Sequence, residues 1–402
     1  MSPFQEQATP SGAVRETLLL QPLPQATSRV RLFFLDHLRV MLTILVVMHH
    51  IAAIYGAVIV FYYVEPPGAG DSLMRVMFAG FLLINQAYFM GLFFLISGYF
   101  TPGSFDRKGS GAFYKDRLLR LGIPLVIYVL ILSPIVSISP YLSPTPADLF
   151  HLAPPYTWQK LPPHAFGVGP LWFAEMLLLF GLGYVIWRLA RRTSKKPAKR
   201  TFSPPGYLTV CLFVLMLAAL SYLMRIVIPL SMSIPIVGFP SLAYLPQYLS
   251  FFILGIFAFR RNWLQTIPGS MGKVGFVVAL VATIILAPLA LSAGDAFLGH
   301  GTLQSAAYAL WDSTFSVGIC LALLTFFRRF FNRQTRFDSF LSQQAFTVYI
   351  IHIPVIVLLA LALRGVHLES LLKFALVALI GVPLCFVFAF LVRKIPFASR
   401  VF

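Results

Sequence analysis

Apolar runs of about 17 to 25 residues recur along this 402-residue chain, each long enough to cross roughly 30 Å of hydrocarbon. Few folds are open to such a sequence. In lipid every backbone N–H and C=O must find a partner within the protein, and a helix meets that demand inside a single segment. Hydrophobic residues make up 58% of the chain and charged residues 11%, which excludes a soluble globular protein. The expected fold is all-α, a polytopic membrane protein of about ten transmembrane helices. The spans fall at 32–61, 73–101, 118–139, 169–190, 206–229, 243–260, 273–292, 304–328, 339–362 and 370–393.

A formal net charge of +18 can signal nucleic-acid binding, but here the cations lie between spans, and on one side. Arg15, Arg29 and Arg31 precede the first span, and Arg107, Lys108, Lys115, Arg117 and Arg120 follow the second. RLARRTSKKPAKR, RRNW, RRFFNRQTRF and RKIPFASR close the fourth, sixth, eighth and tenth. The alternate loops hold almost no Lys or Arg, with Lys160 in a Pro-rich 140–168 stretch the main exception. The positive-inside rule then expects both termini in the cytoplasm, which requires an even number of spans. The bilayer, not nucleic acid, is the expected partner. Residues 1–28 are polar and rich in Pro and Gln and lack a signal peptide's apolar region and cleavage site. They read as a disordered cytoplasmic tail before one membrane domain at 29–402. Cys211, Cys320 and Cys385 lie in apolar runs with no CxxC spacing, as small buried residues do, so no disulfide and no metal are expected.

Against this apolar background the ionisable residues within spans stand out: Asp36, His37, Arg39, His49, His50, Arg75, Glu175, Arg225, Asp312 and His352. Such residues are costly in a membrane and mark function by default. Arg39 and His50 are eleven residues apart, about 1100° of helical rotation, so both project from one face about 16 Å apart along the axis. With the first span starting in the cytoplasm, Arg39 lies near that surface and His50 past the middle. Glu175, Arg225, Asp312 and Arg75 fall in the outer half, and His352 is past the middle of its own span. Neither the cytoplasmic cations nor the outer group would face lipid, so both should line one interior cavity.

Plain structural roles compete for several of these residues. Asp36 and Arg39 can form an i,i+3 ion pair, and Glu175 and Arg225 can neutralise each other across two helices. His49, about 100° from His50, suits packing; Arg75 can snorkel; Trp172 can be an interfacial aromatic. His50 is the strongest candidate for chemistry, because an imidazole accepts and returns a proton near neutrality. Arg side chains at the cytoplasmic mouth suit a phosphate-bearing donor. R-x-x-R in KDRLLRLGIP offers Arg117 and Arg120, although positive-inside charge alone accounts for them equally well.

FFLDHLRVMLTILVVMHH, with Arg, ten residues, then His at Arg39 and His50, resembles the opening helix of the acyltransferase 3 family of integral membrane enzymes. FFLISGYF, YKDRLLRLGIP, GPLWFAEMLLLF, YLSFFILGIFAF and FTVYIIHIP extend the likeness in the family's order. Two departures are His37 where Gly or Ser is usual, and Pro170 where His usually precedes Leu-Trp-Phe. The resemblance implies transfer of an acyl group, acetyl or succinyl, from cytoplasmic acyl-CoA to a hydroxyl of an extracytoplasmic glycan or glycoside. It implies a catalytic role for His50, a structural or donor-site role for Arg39, and CoA-phosphate contacts for Arg117 and Arg120. Glu175 and His352 are candidates to orient the imidazole or the acceptor, and Asp36, Arg225 and Asp312 to support the site. His50 would act as general base or as transient acyl carrier. The rival readings are a proton-coupled transporter or flippase, and a membrane sensor or scaffold. The transporter lacks support from paired Gly/Pro-broken helices in two halves.

Overall fold

A computed structural model describes residues 31–57, 61–65, 67–68, 71–137, 167–191, 203–232, 242–396 and 398. The tail at 1–28, Lys160 and most of the RLARRTSKKPAKR loop lie outside the described residues. Residues 1–32 separate as their own unit, and 33–402 form the helical body.

Ten helices in that body are long and apolar enough to cross a membrane. They are α1 (Phe33–Gly56), α2 (Ser72–Lys108), α3 (Ser110–Ser137), α4 (Gly169–Ala190) and α5 (Tyr207–Val227). The rest are α6 (Leu242–Arg261), α7 (Gly269–Leu291), α8 (Leu303–Phe330), α9 (Arg336–Ala362) and α10 (Ser370–Lys394). No strand occurs among the described residues. The side on which α1 starts is called the near face, and the side towards which it runs the far face.

The three largest departures from the expected boundaries each have a local reason. α1 stops at Gly56 rather than 61, because Ala57 adopts a left-handed φ of 48° that no helix continues. α2 runs on through Pro102 to Lys108, ending where Gly109 takes φ 76°. α3 begins at Ser110 and widens into π-helical turns at Leu118–Gly122 and Tyr128–Leu132. Each π turn lies just before a proline, Pro124 or Pro134, whose ring excludes the normal i−4 hydrogen bond.

α1 lies deepest. Its apolar window is 67% buried, against 22% for α5 and α7, so α1 is wrapped by protein while α5 and α7 turn most of their surface outward. It packs on α2, α8, α9 and α10. One apolar cluster joins α1, α9 and α10 through Val47, Ile51, Ile353, Ile356, Val377 and Cys385. α2 and α6 cross at Gly98 and Gly255, where a Cβ on Gly98 would strike the Phe252 carbonyl and one on Gly255 the Leu95 carbonyl. Small residues permit this approach where dispersion, not water exclusion, drives helix association. Cys320 and Cys385 are buried as expected, whereas Cys211 is exposed on α5, a helix with little buried surface.

Candidate functional site

His50 meets His352 across the α1–α9 contact. His352 Nε2 lies 3.2 Å from His50 Nδ1, with the ring centroids 4.9 Å apart. Two carbonyls assign the protons. His50 Nδ1 is 2.8 Å from the Val46 carbonyl, and His352 Nδ1 is 2.7 Å from that of Tyr349. A carbonyl only accepts, so each Nδ1 carries hydrogen. His50 Nδ1–H is then shared between Val46 O and the lone pair of His352 Nε2. The lone pair of His50 is left on Nε2, available to a substrate proton.

The same pair of helices carries the local frame. His49 packs edge-on to His50 at 5.5 Å and against Phe89 at 5.1 Å, in keeping with a packing role, although its buried Nδ1 has no hydrogen-bond partner. Phe61, just beyond α1, stacks on the His50 ring at 5.5 Å and 29°. Three residues before His352, the Tyr349 hydroxyl donates to the Pro170 carbonyl. This contact fastens the GPL turn that opens α4 beside the two histidines. Gly169 has φ 49°, and a Cβ there would lie 2.6 and 2.7 Å from the Tyr128 and Tyr62 hydroxyls, so the turn demands glycine. The turn presents Trp172, stacked on Tyr248 at 5.4 Å, and Glu175 one turn on. Glu175 is half-buried, and its Oε2 has no hydrogen-bond partner.

Arg225 does not neutralise Glu175, which corrects one sequence reading. It donates to Asp312 at 2.6 Å, with both side chains fully buried. The Tyr244 and Tyr308 rings lie 5.4 and 4.9 Å from its guanidinium. The reason is packing: α5 lies against α8, the helix that bears Asp312. Arg225 and Asp312 thus form a buried pair through one contact, with Arg225 Nε and Nη1 and Asp312 Oδ1 left without a hydrogen-bond partner, and Glu175 stands outside it. Arg75 is exposed and donates to the Pro67 carbonyl at 3.4 Å.

On the near face Arg39 pairs with Asp36 at 3.9 Å. Arg117 and Arg120, expected to act together, part company at the first π turn of α3, which Arg117 precedes and which contains Arg120. Arg117 turns inward, donates to Thr101 Oγ1 at 2.7 Å and lies over the Phe113 ring, while Arg120 is exposed and pairs with Asp116 at 3.3 Å. Sequence reasoning missed a neighbouring cluster. Arg188 of α4 and Arg260 of α6 both donate to Asp106 of α2, at 3.1 and 2.5 Å, and both reach the Tyr184 hydroxyl. Two guanidinium groups on one carboxylate leave this corner cationic. No group of three or more His, Cys, Asp or Glu able to hold a metal occurs among the described residues.

A family model described as "Acyltransferase domain" matches residues 32–392, nearly the whole helical body. The chain belongs to the acyltransferase 3 family. This acyltransferase is also similar to glucans biosynthesis protein C of Salmonella schwarzengrund and of Salmonella typhi. Each is 26% identical over 337 residues, spanning 81% of this chain and 82% of theirs. No solved structure is a significant match. Membership of the acyltransferase 3 family makes the chain a multi-pass membrane enzyme that moves acyl groups. It supports the enzyme reading over the transporter, flippase, sensor and scaffold readings.

Proposed function

We propose that this acyltransferase takes an acetyl or succinyl group from acyl-CoA on the cytoplasmic side and places it on a hydroxyl of an extracytoplasmic carbohydrate. The observation that carries the reading is the His50–His352 pair, which leaves His50 Nε2 with a free lone pair. In this scheme the near face is cytoplasmic, as the loop charges expect. Arg117, with Arg188 and Arg260 beside it, meets the phosphates of the donor, and Arg39 guards the same mouth. Arg120, exposed and paired with Asp116, contributes at the rim. The thioester then extends between helices towards His50.

His50 Nε2 removes the proton of the acceptor hydroxyl as that oxygen attacks the thioester carbonyl carbon. The carbon–sulfur bond breaks, and the proton passes from Nε2 to the departing CoA sulfur. While His50 is charged, its Nδ1–H keeps its partner in His352 Nε2, which stabilises the imidazolium without taking the proton. Glu175 and Trp172 supply a carboxylate and an aromatic face to the sugar, chemistry suited to hydroxyls and C–H surfaces. The name of the Salmonella relatives supports a glucan-like acceptor.

The test is transfer of label from radiolabelled acyl-CoA to saccharide by the purified protein in proteoliposomes. Wild type should pass label to the saccharide and His50→Ala should not. Label passing at near-normal rate with His50→Ala would overturn the assignment.

A further inference from the structure

Lys373 is an anomaly. It sits one turn into α10 with only 1% of its surface exposed, although an unpaired buried ammonium is among the costliest groups to place in a protein. Its counter-charge is Glu65, whose Oε1 accepts from Lys373 Nζ; the Arg364 carbonyl, 3.5 Å away, adds a weak second contact. Glu65 belongs to no helix. It lies in the short segment 61–65 that follows α1, and every part of that segment is fastened. The Glu65 N–H donates to the Ile54 carbonyl at 2.8 Å, and Tyr63 Oη donates to Glu65 Oε2 at 3.2 Å. Tyr63 and Val64 are buried, and the Tyr62 hydroxyl lies 3.3 Å from that of Tyr128.

The segment ends on His50. Phe61, four residues from Glu65, lays its ring over the imidazole at 5.5 Å and 29°. We propose that Lys373 is a positioning residue which, through Glu65, holds the 61–65 strap so that Phe61 covers the far side of His50. The inference rests on the acyl-transfer reading of His50. On that reading an acceptor hydroxyl and water compete for Nε2 at the edge of the ring whose face Phe61 covers. Water reaching the thioester would attack the same carbonyl carbon, releasing free carboxylic acid while the sulfur leaves as the CoA thiol. A flat ring beside that edge takes up space that loose water would otherwise fill and offers an aromatic surface against which a sugar ring can lie. The strap therefore sets the ratio of transfer to hydrolysis.

The test reads His50 directly, whether or not transfer is observed. Carbethoxylation of His50 by diethyl pyrocarbonate is followed by peptide mass spectrometry in purified protein. Phe61→Ala, Glu65→Gln and Lys373→Met should each raise the His50 rate severalfold at unchanged monodispersity, and the exchanged pair Lys373→Glu/Glu65→Lys should restore protection. Phe61→Ala breaks no ion pair, so it decides the matter if the Lys373 variants fail to fold. With acyl-CoA and acceptor present, the same variants should release more CoA than they acylate acceptor. An unchanged His50 rate in folded Phe61→Ala and Glu65→Gln overturns the proposal. Protection without any transfer by wild type overturns the acyl-transfer reading instead.

Discussion

His352 Nε2 lies 3.2 Å from His50 Nδ1, and because the Val46 and Tyr349 carbonyls hold the hydrogens on both Nδ1 atoms, His352 Nε2 is the acceptor of that contact. If that bond stabilises a transient imidazolium, its loss should fall on the chemical step. A hydrogen bond to a charged group is worth about 1.5–3 kcal/mol, which corresponds to a roughly ten- to hundredfold lower kcat. His352→Ala should show that drop with KM for acyl-CoA within about twofold of wild type, measured by steady-state kinetics.

Arg225 and Asp312 predict a different behaviour. Asp312→Leu leaves a buried guanidinium unpaired and should cost roughly 3–5 kcal/mol, whereas Arg225→Met with Asp312→Leu should recover most of it. Thermal unfolding in detergent reads the difference. A single variant as stable as wild type would contradict mutual compensation by the two buried charges.

The two arginines of R-x-x-R should separate kinetically. Arg117 is held inward by Thr101 and Phe113, while Arg120 lies at the surface beside Asp116. Arg117→Ala should raise KM for acyl-CoA about tenfold or more, as expected for a lost charged hydrogen bond. Arg120→Ala should change it by no more than about twofold, since exposed pairs contribute about 1 kcal/mol or less.

Gly98→Val should disrupt the α2–α6 crossing, because the added carbons meet the Phe252 backbone rather than a movable side chain. Overpacking of this kind costs typically about 1–3 kcal/mol. Gly111→Ala, in open space on α3, should be neutral by the same unfolding measurement.

Much of this was legible in the sequence. Ten apolar runs imply ten helices because the bilayer leaves the backbone no other partner, and helical rotation alone puts Arg39 and His50 on one face. His352 could be named as a candidate because its depth matches that of His50. What resisted was the choice of neighbours. Arg225 selects Asp312 over Glu175 because α5 lies on α8, and nothing in either segment announces that contact. Asp106, Arg188 and Arg260 read as loop charge until three helix ends converge. Lys373 looks like an ordinary cation near a helix start, and nothing in its own segment announces its burial against Glu65. Helix ends failed where single residues decided them, as at left-handed Ala57.

On the proposed mechanism His50 Nε2 handles the proton of the acceptor during acyl transfer. Radiolabel followed from acyl-CoA to saccharide in proteoliposomes containing wild type or His50→Ala reads that role. A general base contributes about 10²–10⁴-fold, so transfer by His50→Ala should fall by at least that lower bound while the protein stays folded. Transfer by folded His50→Ala within a few-fold of wild type would contradict it.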